Sequence, residues 1–382
     1  MSGVPLKLVY VTPAIYSAGG VERVVTLKAN YFAEVYGYDV TIIVTEGKGR
    51  SSFFPLSSRV QVINFELGFE ELWNVGFLKK IYLYLQKIRK YKQLLEEELL
   101  RIRPNITIST LRREINFINN IEDGSKKIGE LHVNRANYRN FKTEESNLLK
   151  NMFAKFWSSR LVGHLKKLDR LVVLTEKDKE DWVELEHVDV IPDPLPFVPV
   201  SVSPLTEKRV IVVARYSHEK GIDLLLEAWA QVEKNTIDWR LEVFGDGDTT
   251  AFKALIDKLG IDRRRCQLNG RTTDIEQEYL KSSIAVCSSR FEGFGMSIVE
   301  AMACGLPVVA FDCPWGPHSI INEGEDGILV ENGNPSALAH GILSLVNDTV
   351  LCKKMSEVAV QNVQRFNIEH IATQWRQMFE SL

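Results

Sequence analysis

The segment RFEGFGMSIVEAMACGLPVV (residues 290–309) combines a glycine-rich turn, a short helical pattern and the start of a buried strand. Glycines on both sides of Phe294 allow a sharp bend and the close approach of a ligand. Helix-forming residues begin at Met296, and the pattern ends where Gly305 and Pro307 forbid its continuation. The apolar run VVAFD that follows predicts a strand. This order of turn, helix and strand is typical of a doubly wound α/β domain.

Two carboxylates in this apolar segment need a reason, because burying a carboxylate is costly. Glu292 lies on the turn and Glu300 lies eight residues later, within the helix. The first N–H groups of a helix can bind an anion, usually phosphate. Glu300 shares a helical face with Met296 and Ser297 and leans toward that end. The spacing predicts a clamp along a sugar nucleotide, with one carboxylate near each end.

Length and composition indicate a globular protein of two domains. The chain has 382 residues, of which 45% are hydrophobic and 25% charged. The N-terminus does not resemble a signal peptide, and no apolar run reaches the ~18 residues of a membrane-spanning helix. The five cysteines form no CxxC pair, which predicts free thiols in a reducing compartment and a cytoplasmic location.

Charge is distributed unevenly between the two halves of the chain. Residues 1–190 contain 29 Lys and Arg against 24 Asp and Glu, whereas the remainder contains 18 against 26. An excess of positive charge in the first half indicates that this half meets something anionic.

Alternating strand and helix patterns divide the chain into two domains. Residues 1–190 are predicted to form the first and 205–365 the second, which is expected to bind the sugar nucleotide. Residues 191–204 hold five prolines and predict an extended linker, and a final helix near 366–382 is expected to pack back on the first domain. Each domain is predicted to be Rossmann-like, with a doubly wound parallel sheet. Ligands bind beyond the carboxyl ends of such strands, so we expect an interdomain cleft.

The sequence resembles the retaining glycosyltransferases of family 4, which have the GT-B fold. EGFGMSIVE carries that family's glutamate pair, and VVARYSHEKGIDLLLEAW and VFGDGD precede it. The resemblance is close over the second domain and weak in the middle of the first, where Gly19-Gly20-Val21-Glu22 matches the glycines of the family's first loop. DCPWGPHSII resembles the branch that builds bacterial surface and lipid-linked glycans.

The resemblance implies a role for each matching residue. Arg215 and Lys220 contact the donor diphosphate, Glu300 the ribose, and Glu292 the hydroxyls of the transferred sugar. Independently, Arg215 is expected to end the strand RVIVVAR, and Lys220 follows five residues later. Two cations at the carboxyl end of a strand suit a diphosphate and would stabilise its departure. The predicted catalytic residues are Glu292, Lys220, Arg215 and His132. The predicted donor-binding residues are Gly19, Gly20, Arg215, Lys220, Gly245, Asp246, Arg271, Glu292, Gly293, Phe294, Gly295, Met296, Ser297, Ile298 and Glu300.

Structural or other interpretations compete at several of these positions. Glu292 and Glu300 could be a glycosidase acid/base pair, but a hydrolase needs no Arg and Lys aimed at a diphosphate. Asp246-x-Asp248 superficially matches a metal-binding DxD motif, a weak signal in this context, and we predict no metal and no cofactor. His132, expected to close the strand KIGELHV (127–133) and to touch the donor sugar, could be an ordinary structural histidine.

The predicted activity is sugar transfer from a nucleotide donor to a hydroxyl of a glycan or polyprenyl-linked acceptor, with retention. UDP is the expected carrier, with GDP and ADP open, and the resemblance implies a front-face mechanism that needs no protein nucleophile. Three alternatives remain: an epimerase or phosphorylase on the same fold, a non-catalytic sugar-nucleotide-binding protein, and a dehydrogenase, for which the sequence lacks GxGxxG.

Two basic segments of the first domain could contact a membrane. In residues 77–102, apolar side chains at helical spacing are flanked by Lys79, Lys80, Lys87, Arg89, Lys90 and Lys92. Residues 150–167 combine Phe153, Phe156 and Trp157 with further basic residues. They are either ordinary domain helices with solvated lysines or faces that dock on anionic lipid at the inner side of the cytoplasmic membrane. No nucleic-acid partner is predicted.

Overall fold

The computed structural model describes residues 5–138 and 159–382. The chain folds into two compact units, residues 1–194 with 368–382 and residues 195–367. The boundary at Pro194 falls inside the segment 191–204, and the C-terminal helix belongs to the first unit. Among the described residues, no helix has both the length and the apolar character required to cross a bilayer.

All strands of both sheets pair in parallel. In chain order the strands are β1 Lys7–Thr12, β2 Asp39–Val44, β3 Val60–Asn64, β4 Ile106–Ser109, β5 Lys126–Glu130, β6 Arg170–Val173, β7 Val188–Val190, β8 Arg209–Val213, β9 Arg240–Phe244, β10 Cys266–Asn269, β11 Ile284–Cys287, β12 Val308–Phe311 and β13 Gly327–Val330.

The α-helices lie between the strands and after the last one. They are α1 Gly20–Glu34, α2 Phe77–Ile102, α3 (described over 159–165), α4 Glu176–Asp181, α5 Ile222–Lys234, α6 Thr250–Leu259, α7 Ile275–Leu280, α8 Met296–Ala303, α9 Pro335–Asn347, α10 Thr349–Asn362 and α11 Ile368–Glu380.

The first sheet has the order β3-β2-β1-β4-β5-β6-β7 and is covered on both faces. Side chains on β1 alternate: Leu8 and Tyr10 join the core beneath α1 and α11, whereas Val9 and Val11 join the core beneath α2. A strand buried on both faces has a continuous apolar sequence, as LVYV (residues 8–11) does. Trp375 of α11 is 1% exposed, so this helix is an integral part of the first unit's core.

The second sheet has the order β10-β9-β8-β11-β12-β13. Apolar residues of β8 and β9 pack with α5 and α9 in one core, in which Trp229 is fully buried. In both sheets the first three strands are added toward one edge, and the fourth strand pairs with the first on its other side, so that β1 and β4, and β8 and β11, are neighbours. The loops that follow the two central strands therefore meet at the carboxyl edge, where doubly wound sheets bind ligands.

Candidate functional site

In the second unit, the loops after β8 and β11 meet at the switch point of the sheet. The loop after β8 contains the 3₁₀ turn His218–Lys220 and leads into α5. The loop after β11 contains the glycine-rich turn and leads into α8. Because β8 and β11 are neighbours, residues 72 positions apart in sequence come into contact.

The main contact joins Lys220 to Glu292. The Lys220 Nζ donates to Glu292 Oε1 at 2.6 Å, and the Ser289 hydroxyl donates to the same oxygen at 2.6 Å. Glu292 is 8% exposed. Burial would lower the pKa of Lys220, but the Glu292 carboxylate outweighs it and raises that pKa. The site therefore holds a charged ammonium and a carboxylate in one part-buried pair.

Close backbone approach fixes the two loops against each other. Gly221 has φ +60°, and a Cβ there would lie 2.0 Å from the Ser288 carbonyl oxygen, so only glycine fits. The Ser288 hydroxyl donates to the Lys220 carbonyl at 2.9 Å. Arg290 makes a bidentate pair with Asp223 at 2.8 and 2.6 Å. These contacts position Lys220 and Glu292 without using their own side chains.

The glycine-rich turn is packed from behind by Gly316. A Cβ at Gly316 would lie 2.4 Å from the Phe294 carbonyl oxygen and 2.6 Å from the Glu292 Cβ. Gly295, the N-cap of α8, has φ +116° and accepts from the Ile298 N–H at 2.9 Å. The Ile298 N–H is thus used within the first turn. The N–H groups of Met296 and Ser297 lie before it, at the N-terminus of the helix, where an anion is expected to bind.

Glu300 lies inside α8 as predicted and is 6% exposed. Its Oε2 accepts from the Tyr279 hydroxyl at 3.2 Å, and the same hydroxyl lies 3.3 Å from the Ser297 carbonyl oxygen. Tyr279, which is 1% exposed, thus holds the carboxylate close to the first turn of α8. That the Glu300 carboxylate faces a ligand at the helix mouth stays a prediction.

The second predicted cation lies outside the buried pair. β8 ends at Val213, so Arg215 is two residues beyond the strand that it was expected to close. Its guanidinium is 69% exposed and pairs with Glu219 at 3.0 Å. Arg215 is therefore near Lys220 in the chain but in a different environment.

Asp246 and Arg271 form an exposed ion pair of 2.6 Å after β9 and β10. Gly245 brings the chain close to the preceding loop, because a Cβ there would lie 1.8 Å from the Ala214 carbonyl oxygen. Asp248 accepts from both the backbone N–H and the hydroxyl of Thr250, at 2.9 and 2.6 Å. Both carboxylates of the DxD sequence thus have protein partners.

The first unit holds the remaining predicted site residues. Gly19 is the N-cap of α1 and Gly20 its first residue, directly after the loop from β1. A Cβ at Gly20 would meet nothing within 4 Å, so packing alone does not require this glycine. β5 ends at Glu130, and the prediction that His132 closes a strand reaching residue 133 was wrong. The histidine lies in the following loop, because pairing with β4 ends at Gly129 and pairing with β6 at Glu130.

His132 lies between two carboxylates. Its Nδ1 is 3.3 Å from Asp193 Oδ1, and its Nε2 is 3.4 Å from Glu130 Oε1. Burial acts to lower the pKa of His132, but the Asp193 and Glu130 carboxylates outweigh burial and raise it.

Sequence reasoning missed the residues that support the site. They are Gly221, Asp223, Tyr279, Ser289, Arg290, Gly316, Lys28, Glu130 and Asp193. A weak signal existed for Arg290, a cation directly beside the conspicuous turn. Tyr279 gave none, because its contact with Glu300 depends on packing. Gly316 lies in the segment DCPWGPHSII noted above, but its packing against the glycine-rich turn was not predicted.

A family model matches residues 197–362, and its description is glycosyl transferases group 1. This range contains the whole switch-point site described above. The matched range is similar to group 1 glycosyl transferases. It coincides closely with the second structural unit, residues 195–367.

The curated proteins that the chain is similar to include glycosyltransferases and one phosphotransferase. An uncharacterized glycosyltransferase of Haemophilus influenzae is 29% identical over 95% of this chain and 96% of its own length. Poly(ribitol-phosphate) alpha-N-acetylglucosaminyltransferase of Staphylococcus aureus is 30% identical over 69% of this chain and 53% of its own length. The exopolysaccharide phosphotransferase SCO2592 of Streptomyces coelicolor is 33% identical over 56% of this chain. The chain spans 24% of that last relative's length.

Solved structures share the fold along almost the whole chain. Staphylococcus aureus TarM, crystallised with fondaparinux, alpha-GlcNAc-glycerol and UDP, has a TM-score of 0.79 at 18% identity, covering 98% of this chain and 99% of that one. The predicted α/β fold of two parallel-sheet domains and its GT-B class are confirmed. The recognition of a glycosyltransferase is confirmed as well, whereas membership of family 4 in particular stays a prediction.

Proposed function

We propose that this glycosyltransferase moves a sugar from a UDP-linked donor to a hydroxyl of a glycan or polyol-phosphate acceptor, with retention of configuration. The observation that carries the proposal is the Lys220–Glu292 pair at the N-terminus of α8. An ammonium, a helix N-terminus and a carboxylate lie together at the switch point of a doubly wound sheet. The first two suit a diphosphate and the third suits sugar hydroxyls.

Donor binding is proposed to exchange partners within this pair. A diphosphate carries more negative charge than Glu292 and competes for the Lys220 ammonium. The exposed Arg215 can turn toward the same phosphates, and the N–H groups of Met296 and Ser297 add donors. Glu292, relieved of its ion pair, is then available to accept from hydroxyls of the sugar. Glu300, held by Tyr279, would accept from the ribose.

The chemistry then depends on the leaving group rather than on a protein nucleophile. Lys220 and the mouth of α8 stabilise the charge that develops on the departing diphosphate. In the proposed front-face route, this diphosphate takes the proton of the acceptor hydroxyl, which attacks from the same side. The glycosidic bond to the diphosphate breaks as the new bond to the acceptor oxygen forms, and the configuration is retained.

The comparisons support the choice of carrier and acceptor class. TarM was crystallised with UDP and alpha-GlcNAc-glycerol, and another relative is named for transfer to poly(ribitol-phosphate). A hydroxyl of a polyol-phosphate or of a lipid-linked glycan is therefore the proposed acceptor.

We further propose that α2 brings the first unit to an anionic lipid surface. Leu78, Tyr82 and Leu85 are 81, 61 and 51% exposed, and at this spacing they share one helical face. Arg89 and Lys92, both exposed, continue the same face. The stripe thus pairs apolar side chains, which can enter the interface, with cations that complement anionic headgroups.

The structure restricts this hypothesis to part of the helix. Leu95 and Leu99 are fully buried in the first unit's core, so the second half of α2 is an ordinary domain helix. Lys87 donates to the carbonyls of Leu67 and Gly68 and is committed to the protein. The second predicted contact segment lies largely outside the described residues, including Phe153, Phe156 and Trp157.

A donor panel tests the proposed activity. The protein is incubated with UDP-, GDP- and ADP-glucose and with UDP-N-acetylglucosamine, with and without a ribitol-phosphate oligomer or a lipid-linked glycan. We expect release of UDP that depends on an acceptor, and loss of this release in Glu292→Gln. Donor conversion to an isomer without acceptor would indicate an epimerase. Binding with no turnover under any condition would indicate a sugar-nucleotide-binding protein.

A further inference from the structure

Four ionisable side chains form a buried cluster in the first unit. Lys28 lies on α1, Glu130 is the last residue of β5, His132 lies in the loop after β5, and Asp193 follows β7. Lys28 and Glu130 are each 1% exposed and Asp193 is 5% exposed, and the His132 side chain is 6% exposed. Charged groups are almost never buried to this extent unless their charges are balanced.

The contacts connect the four groups in one row. The Lys28 ammonium bonds to Glu130 Oε1 and lies 4.3 Å from the centre of the Trp375 ring. The same Glu130 oxygen is 3.4 Å from His132 Nε2, and Asp193 Oδ1 is 3.3 Å from His132 Nδ1. Tyr10 of β1, whose hydroxyl is buried near Glu130, adds a neutral group. Each nitrogen of the imidazole therefore faces a carboxylate.

The net charge of the cluster depends on whether the His132 imidazole is protonated. Two carboxylates and one ammonium leave a net charge of −1, which is costly at this depth. A neutral imidazole has only one N–H and would turn a lone pair toward one of the carboxylates. An imidazolium has two N–H groups, one for each carboxylate, and brings the cluster to zero net charge.

We propose that Glu130 and Asp193 are positioning residues that hold His132 as a fixed imidazolium, with Lys28 balancing the second carboxylate. The cluster would then carry no net charge, with the imidazolium held between the two carboxylates at the carboxyl edge of the first sheet.

This arrangement sets what His132 can do in the proposed transfer reaction, on which this step of the inference rests. An imidazolium has no lone pair and cannot take a proton from the acceptor. With both N–H groups directed at carboxylates, its contribution is to hold the carboxyl edge of the first sheet in one charge-balanced arrangement. The base must then be another group, which agrees with the proposal that the leaving diphosphate takes the acceptor proton.

The test is a pH titration of the free protein followed by NMR of ¹³Cε1-labelled histidine. The chain has seven histidines, and His132→Gln assigns the relevant signal. We expect the His132 midpoint above its ordinary value of 6.5. Asp193→Asn should lower this midpoint by about one to three pH units. Asp189→Asn, which removes a surface partner of Arg170, is the matched control and should leave it unchanged.

Enzymatic turnover gives a second readout that a purely structural role would not change. The alkaline limb of the kcat/KM profile should move to lower pH in Asp193→Asn and stay in place in Asp189→Asn. A wild-type His132 midpoint at or below 6.5 would overturn the inference, even if Asp193→Asn fails to fold. A stoichiometric divalent ion in the purified protein, whose removal by EDTA alters the His132 signal, would overturn it as well. Because the titration needs no substrate, its result is independent of the proposed activity.

Discussion

Lys220 and Glu292 share one short hydrogen bond, so replacing either residue also changes the charge that the other one meets. Lys220→Ala removes a cation from the proposed diphosphate site and should weaken UDP binding. A hydrogen bond to a charged group contributes about 1.5–3 kcal/mol, so a roughly ten- to hundredfold loss is expected. Lys208→Ala, which removes an exposed lysine of the same unit, is the control and should bind UDP normally. Isothermal titration calorimetry measures both.

Glu292→Gln should lower turnover without weakening UDP binding. Without the carboxylate, Lys220 keeps its full charge for the diphosphate, and UDP affinity should stay equal or increase. Turnover should fall by roughly ten- to hundredfold, because the proposed partner of Glu292 is the transferred sugar. A variant that keeps full kcat, or one that loses UDP binding and turnover to the same degree, would contradict this assignment of the pair.

The partners of Asp246 and Asp248 bear on metal dependence. Asp246 pairs with Arg271, and Asp248 accepts from the backbone and hydroxyl of Thr250. We therefore expect turnover to be unchanged after EDTA treatment and gel filtration. Restoration of lost activity by Mg²⁺ or Mn²⁺ would show that the prediction of a metal-independent enzyme is wrong.

The raised pKa of His132 leads us to predict a pH dependence of folding stability. A histidine whose folded-state pKa is raised contributes stability that is complete below the unfolded pKa and disappears as pH rises through the folded pKa. The loss begins near pH 6.5 and amounts to about 1.4 kcal/mol for each pH unit that separates the folded and unfolded pKa values. Denaturant unfolding of the wild type and Asp193→Asn across this range measures it. Their difference should be largest below the histidine's ordinary pKa, and a difference that is the same at every pH would contradict the coupling.

At the scale of elements, the two halves of α2 differ in burial. Leu78, Tyr82 and Leu85 are exposed, whereas Leu95 and Leu99 are core residues. Arg89→Gln with Lys92→Gln should reduce binding to anionic vesicles by roughly thirtyfold, since each basic residue contributes ~1 kcal/mol at such a surface. Lys253→Gln with Lys258→Gln, on the exposed side of α6, is the matched control. Flotation with anionic and neutral vesicles at low salt measures the effect, and equal binding to both vesicle types would exclude electrostatic docking.

The sequence predicted the presence of strands and helices better than the residues at which they end. Turn glycines and proline placed α8 correctly, because Gly295 and Gly305 act through local backbone geometry. Strand ends were placed too far along: β8 stops before Arg215 and β5 before His132. An apolar run shows that a strand exists, but the length of its hydrogen-bonded partners decides where it stops.

The sequence predicted the individual site residues that lie in local motifs, but not the contacts between motifs that are distant in the chain. Glu292, Glu300 and Lys220 were found from local patterns and the family resemblance. Their pairing was not, because the Lys220–Glu292 contact depends on β8 and β11 being neighbours in the sheet. The charge cluster around His132 was missed for the same reason, since Lys28 and Glu130 are 102 residues apart.

At the scale of the whole molecule, two doubly wound units of this kind support several chemistries, and fold alone does not choose among them. The similarity to group 1 glycosyl transferases and the relatives support a glycosyltransferase. Retention of configuration is the part of the proposal that distinguishes the front-face route from a single inverting displacement.

The stereochemistry of the product decides between them. The protein is incubated with the UDP-α-sugar that gives the highest turnover and with its acceptor, and the anomeric proton of the early product is followed by ¹H NMR. Our proposal predicts an α-linked product with the small H1–H2 coupling of a gluco-configured α-anomer. A β-linked product, formed by inversion, would contradict it.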